Sequence, residues 1–184
     1  YDETYSSGAP SFERQYIRDV RNFSKLVKKG SKVLDAGCGR GKTSNWLREH
    51  GYILTGVDIN QRAIAQAKAA YERDGITFSV ADLANLKNFK DSIFDAISSR
   101  RALGDLYRIG KFEQAVGELS RVLKQNGIIY ATTYLIIRTD FIFEDEKFTR
   151  KYVEGEFEKY FRTINSKVSY HVRPNYWAKH LTII

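Results

Sequence analysis

Val33-Leu34-Asp35-Ala36-Gly37-Cys38-Gly39-Arg40-Gly41, followed by Lys42-Thr43-Ser44-Asn45-Trp46-Leu47, decides how this chain is read. An apolar run ends in an acid, three glycines alternate, and a helix-forming stretch follows. Glycine lets a backbone turn sharply and lets a ligand touch the main chain. The free N–H groups and positive end of the next helix suit an anion. The dinucleotide fingerprint G-x-G-x-x-G fails from either start, because the closing position is Lys42 counted from Gly37 and Ser44 counted from Gly39. The phosphate loop G-x-x-x-x-G-K-S/T comes closer. Gly41-Lys42-Thr43 is its ending, and only its first glycine is replaced, by Ala36. On this stretch alone a phosphate loop stays open.

The pattern downstream narrows the choice. Tyr52 to Asp58 reads as a second strand ending in an acid, about 20 residues past the glycines, where doubly wound folds place a carboxylate against a ribose diol. Asn60 caps a helix predicted over Gln61 to Arg73, with Ile64, Ala67, Ala70 and Tyr71 at helical spacing and Gly75 as its stop. Thr77 to Val80 is a third strand, with Ala81-Asp82-Leu83 after it. Ile93 to Ser99 is a fourth. A helix over Phe112 to Gln125, a turn at Asn126-Gly127 and a fifth strand over Ile128 to Tyr134 complete the alternation. A phosphate-loop protein would need a metal-binding acid at another strand end. Asp58 or Asp95 could serve, but that reading leaves the ordered set of Asp58, Asp82 and "ELSRVLKQNG" unexplained.

"VLDAGCGRG", Asp58, "VADL", "FDAISS" and "ELSRVLKQNG" stand in one order across roughly residues 30 to 135. In that order they resemble the class I S-adenosylmethionine-dependent methyltransferases. The resemblance implies a doubly wound α/β fold with a mostly parallel seven-stranded sheet, a C-terminal antiparallel hairpin and helices on both faces. It implies S-adenosylmethionine as cofactor, held by Asp35, Gly37, Cys38, Gly39, Gly41, Asp58, Ile59, Asp82, Leu83, Ser98 and Ser99. In the family, the residue at Asp35 also reaches the methionine amino group through solvent, that at Asp58 takes the ribose and that at Asp82 reads the adenine. The residues by themselves allow plainer roles. Asp35 can cap the loop, Asp82 can cap a helix, and Cys38 can be a small residue between sheet and helix. His50 suits a helix end, and His171 and His180 suit exposed strand positions. The N-terminal "YDETYSSGAP" is similar to the entry segment of the tellurite-resistance and thiopurine-type branch, which folds over the cofactor.

The 184 residues suit a single domain over 1–184. Ser11 caps a first helix over Phe12 to Lys28. At the other end, a short helix over Glu154 to Phe161 precedes strands over Thr163 to Val172 and Tyr176 to Ile184, joined through Arg173-Pro174-Asn175 as a hairpin. No run of 18 apolar residues suggests a membrane span. The single cysteine and the lack of a visible signal peptide suggest the cytoplasm. Oligomeric state leaves no mark in the sequence.

The acceptor is read by elimination. After the fourth strand stands Ser98-Ser99-Arg100-Arg101, without the Asp/Asn-Pro-Pro-Tyr/Phe of amino-methyltransferases acting on adenine or glutamine. The one cysteine, in the glycine loop, is misplaced for a cytosine-5 nucleophile. Ser98 to Leu106, "SSRRALGDL", instead resembles the substrate-facing stretch of small-molecule methyltransferases, and that resemblance implies a small-molecule acceptor. An RNA acceptor is the alternative, because the net charge is +8 and the pI about 9.5. Basic residues cluster at Lys25 to Lys32, Arg100-Arg101 and Lys147 to Lys151, with aromatics following. A non-catalytic S-adenosylmethionine-binding protein is the third reading. Tyr5, Arg100 and Tyr134 are the catalytic candidates, as groups that orient the methionine end and the acceptor, since none has a pKa suited to a base at neutral pH. The stretch from Phe141 to Tyr152 has the length of a lid. No metal site is expected.

Overall fold

β1 (Lys32–Ala36) carries an apolar run with both faces to cover, and the fold follows from that. Successive side chains in a strand point to opposite faces, so Val33 and Leu34 need separate partners. Val33 joins a cluster with Val20 and Phe23 of α1 (helical over 19–26), Val27 just after it, Leu47 of α2 (Lys42–Glu49) and Ile64 of α3 (Gln61–Tyr71). Leu34 joins the other cluster, with Leu103 and Leu106 of α4 (Ala102–Arg108), Phe112, Val116 and Leu119 of α5 (Phe112–Val122), and Val153 and Phe157 of α6 (Arg150–Glu158). The computed structural model describes residues 19–137, 150–161, 166–173 and 176–184.

β2 (Ile53–Asp58), β3 (Ile76–Val80), β4 (Phe94–Arg100) and β5 (Leu123–Ile137) join β1 in a parallel sheet ordered β3-β2-β1-β4-β5. β7 (Tyr176–Ile183) and β6 (Ser166–Arg173) continue it antiparallel, with Ala131 opposite Ile183 and Ser166 opposite Ile183. Pro174 and Asn175, read as the turn between them, lie outside the described residues. The chain leaves β1 toward β2 on one side and returns as β4 on the other. That reversal opens a crevice at the carboxyl ends of β1 and β4, where doubly wound sheets bind ligands.

Several boundaries differ from the sequence reading. α5 stops at Val122 rather than Gln125, because β5 begins pairing at once: Phe94 sits opposite Leu123 and Ala96 opposite Ile128. The extra residues are accommodated by a left-handed Asn126 (φ 65°), while Lys124 Nζ reaches Asp95 at 2.6 Å. α3 ends at Tyr71, not Arg73, and Gly75 (φ 78°) turns the chain into β3 rather than capping the helix. α6 starts at Arg150, whose Nε pairs with Glu154 at 2.7 Å, and ends at Glu158 rather than Phe161. α1 ends at 26, and its start lies outside the described residues, as does 141–149 of the expected lid. α4 went unread. Its entrance is Arg101 with φ 69°, and its anchors are Leu103 and Leu106, spaced one turn apart and buried.

Arg121 ties the β3–β4 connection to α5. Its Nε and Nη2 meet the two oxygens of Glu118 at 2.7 and 2.9 Å, and its Nη groups reach the Leu86 and Phe89 carbonyls at 3.0 Å and Asp91 at 2.6 Å. Glu118 in turn accepts from the Leu86 N–H at 2.6 Å. The guanidinium fork suits this many partners in one plane. Arg121→Ala should cost about 2–4 kcal/mol in urea denaturation, since partly buried acceptors lose a charged partner. Arg121→Lys should recover less than half of it. Wild-type stability in Arg121→Ala would refute the clamp.

Candidate functional site

The glycine loop is built onto the end of β2. The N–H groups of Gly37 and Cys38 both donate to the Val57 carbonyl, at 2.8 and 2.9 Å. The Gly39 N–H donates to Asp58 Oδ2 at 2.8 Å, and Asp58 Oδ1 accepts from the Asn60 N–H at 2.9 Å. Asn60 then caps α3, its side chain accepting from the Ala63 N–H at 3.1 Å. One carboxylate thus holds the loop and the entry to α3 together.

The three glycines answer to different constraints. Gly37, Gly39 and Gly41 have φ of 79°, 55° and 79°, in the region that favours glycine. A Cβ on Gly37 would sit 2.5 Å from the Cβ of Ala102, and one on Gly41 2.8 Å from the Phe78 ring. Those two are small because the protein packs against them. Gly39 has nothing within 4 Å of its would-be Cβ. The space above it is open, so of the three glycines read from the sequence as ligand-facing, only Gly39 has room that a ligand could use.

Asp35 lies beneath the loop, 2% exposed, and accepts from Ser44 Oγ of α2 at 2.6 Å. Burial pushes its pKa up to about 6, against the lowering effects of the Ser44 hydroxyl and the Arg100 charge. Cys38 is buried against Phe78 and Gly56 at the loop. Burial, reinforced by the charges of Asp35 and Asp58, pushes its thiol pKa well up, which fits the packing role and gives no nucleophile.

Ile59, next to Asp58, is 64% exposed beside the cradle. Asp82 does not cap a helix: Oδ1 accepts from the Ala84 N–H at 3.0 Å within a turn, and Oδ2 pairs with Lys111 Nζ at 2.6 Å. That lysine holds the carboxyl below its ordinary range. The Leu83 side chain belongs to the core, leaving its backbone for the site. Ser98 and Ser99 are both buried at the end of β4, Ser98 beside Asp35 in register, and the Ser99 hydroxyl has no hydrogen-bond partner among the described residues.

Arg100 ends β4 and turns inward, its side chain 17% exposed, with Nη1 3.3 Å from Thr43 Oγ1 and Nε 3.8 Å from Asp19 Oδ2. Tyr134 is described through its backbone, opposite His180 of β7. Tyr5 lies outside the described residues. His50 stacks on Trp46 at 3.4 Å, with Nδ1 2.8 Å from the Trp46 carbonyl. Asp19, Thr43 and Ser44 were missed. The one legible signal was Asp19, an acid on the apolar stripe of α1 one turn before Phe23. Among the described residues, no group of three or more His, Cys, Asp or Glu could hold a metal ion, and no helix is long and apolar enough to cross a membrane.

A family model described as a methyltransferase domain matches residues 34–131. A protein of Geobacillus sp. (strain WCH70) designated a methyltransferase is 32% identical over 126 residues, which are 66% of this chain and 50% of that one. A protein of Talaromyces variabilis, the S-adenosyl-L-methionine-dependent Diels-Alderase iccD, is 33% identical over 103 residues, 53% of this chain and 34% of its own. The chain therefore spans half or less of these two curated relatives. The solved TehB-like SAM-dependent methyltransferase of Corynebacterium glutamicum shares the fold, with a TM-score of 0.60 at 20% identity over 89% of this chain and 85% of that one.

Two outcomes are expected of this geometry. Gly37→Ala should destabilise the protein by about 2–4 kcal/mol in urea, from overpacking and positive φ, and Ala102→Gly in the same chain should restore part of the loss. No rescue would mean that Ala102 is not the obstacle. For Asp35, the folded protein keeps a proton that the unfolded chain releases at its ordinary 3.8, so stability falls as pH rises from there to about 6. Asp35→Asn still accepts from Ser44 and never ionises. Above pH about 6 it should exceed wild type by up to about 3 kcal/mol, a gap that closes toward pH about 4. A gap independent of pH would contradict the buried-charge account.

Proposed function

Because the chain belongs to the family of methyltransferase domains, we propose that it moves the methyl group of S-adenosylmethionine to a nucleophilic atom of a small-molecule acceptor, and that residues 1–184 act as one domain. The observation that carries this is the open space above Gly39, beside a carboxylate already fixed by two backbone N–H groups. S-adenosylmethionine supplies an activated sulfonium methyl when bound; the chain's task is to bind, orient and exclude water. A carboxylate has about four acceptor sites, so Asp58 can take ribose hydroxyls while holding the loop. Exposed Ile59 offers an apolar surface to a flat base, with Asp82 and the Leu83 backbone at its edge. Gly37, Cys38 and Gly41 shape the loop, and Asp35, Ser98 and Ser99 line the opposite end at β1 and β4.

The small-molecule reading takes support from the charges. Arg100 is turned inward, so Arg100-Arg101 makes no open basic face. Lys111, Arg121, Lys124, Arg150 and Lys159 each pair with a carboxylate. Lys25, Lys28, Lys29 and Lys32 are exposed and keep RNA as the alternative acceptor. A non-catalytic S-adenosylmethionine-binding protein is the third reading; the relative named as an S-adenosyl-L-methionine-dependent Diels-Alderase supports only a use of the cofactor without methyl transfer. We read the chain as nearest the tellurite-resistance branch, on its N-terminal segment and the fold shared with the TehB-like enzyme. We read it as cytoplasmic on its lone buried cysteine. Tyr5 and Tyr134 are positioning candidates.

Isothermal titration tests the cofactor. Asp58→Ala should weaken S-adenosylmethionine binding by about 1.5–3 kcal/mol, and Gly39→Val should abolish it by filling the open space. A protein that binds ATP with Mg²⁺ and ignores S-adenosylmethionine would return the phosphate-loop reading. For the acceptor, RNA should bind only weakly, with affinity falling steeply with salt. A specific sub-micromolar RNA complex at physiological salt would overturn the small-molecule assignment.

A further inference from the structure

Residues 20 to 34 carry five cations, Arg21, Lys25, Lys28, Lys29 and Lys32, and no acid. All five are exposed. Among the described residues none of them forms an ion pair, whereas Lys111, Arg121, Lys124, Arg150 and Lys159 all do. Asp95, the acid beside the start of β1, accepts from the Lys32 N–H at 2.7 Å and from Lys124 Nζ at 2.6 Å, so it is already committed. Like charges held together repel one another and weaken the compact state. No carboxylate among the described residues offsets that repulsion; a ligand of opposite charge would.

The fold lays the five along one strip. Asp19 of α1 stands at the carboxyl end of β4, its Oδ2 3.8 Å from Arg100 Nε. Past the other end of α1, the Val27 carbonyl accepts from the Tyr52 hydroxyl at 2.9 Å, and the Gly30 N–H donates to the Gly51 carbonyl at 2.8 Å, both at the amino end of β2. Val20 and Phe23 turn into the core, while Arg21 and Lys25, one helical turn apart, stay outside. Lys28 and Lys29 follow in the turn, with the Lys29 stem 3.7 Å from where a Cβ on Gly51 would stand, and Lys32 opens β1. The strip thus runs down the outside of α1 to the amino edge of the sheet. β1, five residues long, puts about 16 Å between that edge and the glycine loop.

The residue types select the occupant. Four of the five are lysines, point charges on flexible stems that suit phosphate. A protein interface is held by buried aromatic or arginine anchors at its centre and is poor in lysine. Adsorption to a bilayer draws on the apolar face of a helix, and that of α1 is packed on the sheet; Leu26, 40% exposed, is the one large apolar side chain of the stretch left outside. No exposed aromatic stands among the lysines to stack an unpaired base. A phosphodiester backbone, read by charge alone, meets these conditions.

We propose that the outer face of α1 and the turn into β1 form a docking strip for the phosphate backbone of a nucleic-acid duplex, bound without regard to sequence and apart from the crevice. The duplex is then a place where the protein sits, and not its methyl acceptor. The inference does not depend on the S-adenosylmethionine reading.

A fluorescent duplex of two helical turns, titrated with the full chain between about 50 and 200 mM salt, should bind in the micromolar range at the low end, with log affinity falling linearly in log salt and no preference for sequence. Lys25→Gln, Lys28→Gln and Lys29→Gln together should flatten that slope by about 2 to 3, at about 0.9 per phosphate contact, and lower affinity at least about tenfold. Lys68→Gln, Lys87→Gln and Lys90→Gln remove the same charge from exposed positions elsewhere and should flatten it by less than about 1. All six side chains are exposed, so both variants should melt with the wild type. S-adenosylhomocysteine affinity should stay within about twofold when the duplex is saturating, because the two sites are separate. No duplex binding, equal flattening by the two variants, or displacement of S-adenosylhomocysteine by the duplex would overturn the proposal. Phosphatidylserine vesicles or polyglutamate bound more tightly than the duplex would assign the strip to lipid or to an acidic protein, and overturn it too. A wild type that binds the duplex in this pattern but not S-adenosylhomocysteine would uphold the strip and refute the cofactor reading.

Discussion

Asp58 accepts from two backbone N–H groups, one in the glycine loop and one at the entry to α3, and the site depends on that double acceptance. With the Val57 carbonyl taking the N–H groups of Gly37 and Cys38, three consecutive loop amides are spent on β2 before any ligand arrives. A free loop of glycines would lose much conformational entropy on binding. This loop has lost it on folding, which is the sense in which the cradle is preorganised. It also makes Asp58 doubly committed. A carboxylate that served a ligand alone could be exchanged for another polar group, whereas this one sets the path of the main chain.

The parts of the fold that read clearly from sequence are those governed by local rules. The glycine loop, the Asn60 cap and the apolar strands announce themselves through spacing and residue type, and the structure places them within a residue or two. What stayed hidden depends on tertiary contact. α4 exists because Arg101 takes a left-handed turn and Leu103 and Leu106 find a core, and nothing in Arg101's type suggests positive φ. α5 looked longer than it is because Leu123 to Gln125 keep a helical pattern, yet pairing with β4 captures them. Asp82 could be read as a cap or a ligand contact, but not as the partner of Lys111, which lies 29 residues away.

Much the same holds for the site. Residue type marked Asp35 and Asp58, but Asp35 proves to be a buried acid whose pKa is raised to about 6, with a serine donating to it. The sequence reading gave Arg100 two parts, half of a basic pair and a group that orients the methionine end and the acceptor. In the fold it is an inward cation between α1, α2 and the carboxyl end of β4. Several of the chain's cations are occupied by carboxylates within the molecule, so the net excess of positive charge falls to others, exposed Lys25, Lys28, Lys29 and Lys32 among them.

Cys38 has a practical corollary. It is the single cysteine of the chain, buried in the loop, with its thiol held in the protonated form. Alkylating reagents attack thiolates that solvent can reach, so the native protein is close to a blank background for thiol labelling. A cysteine introduced at exposed Gln125, at the amino end of the sheet and far from the carboxyl ends that form the crevice, would take a fluorophore or spin label at one defined place. The motions of this domain then become open to spectroscopy without disturbing the cradle.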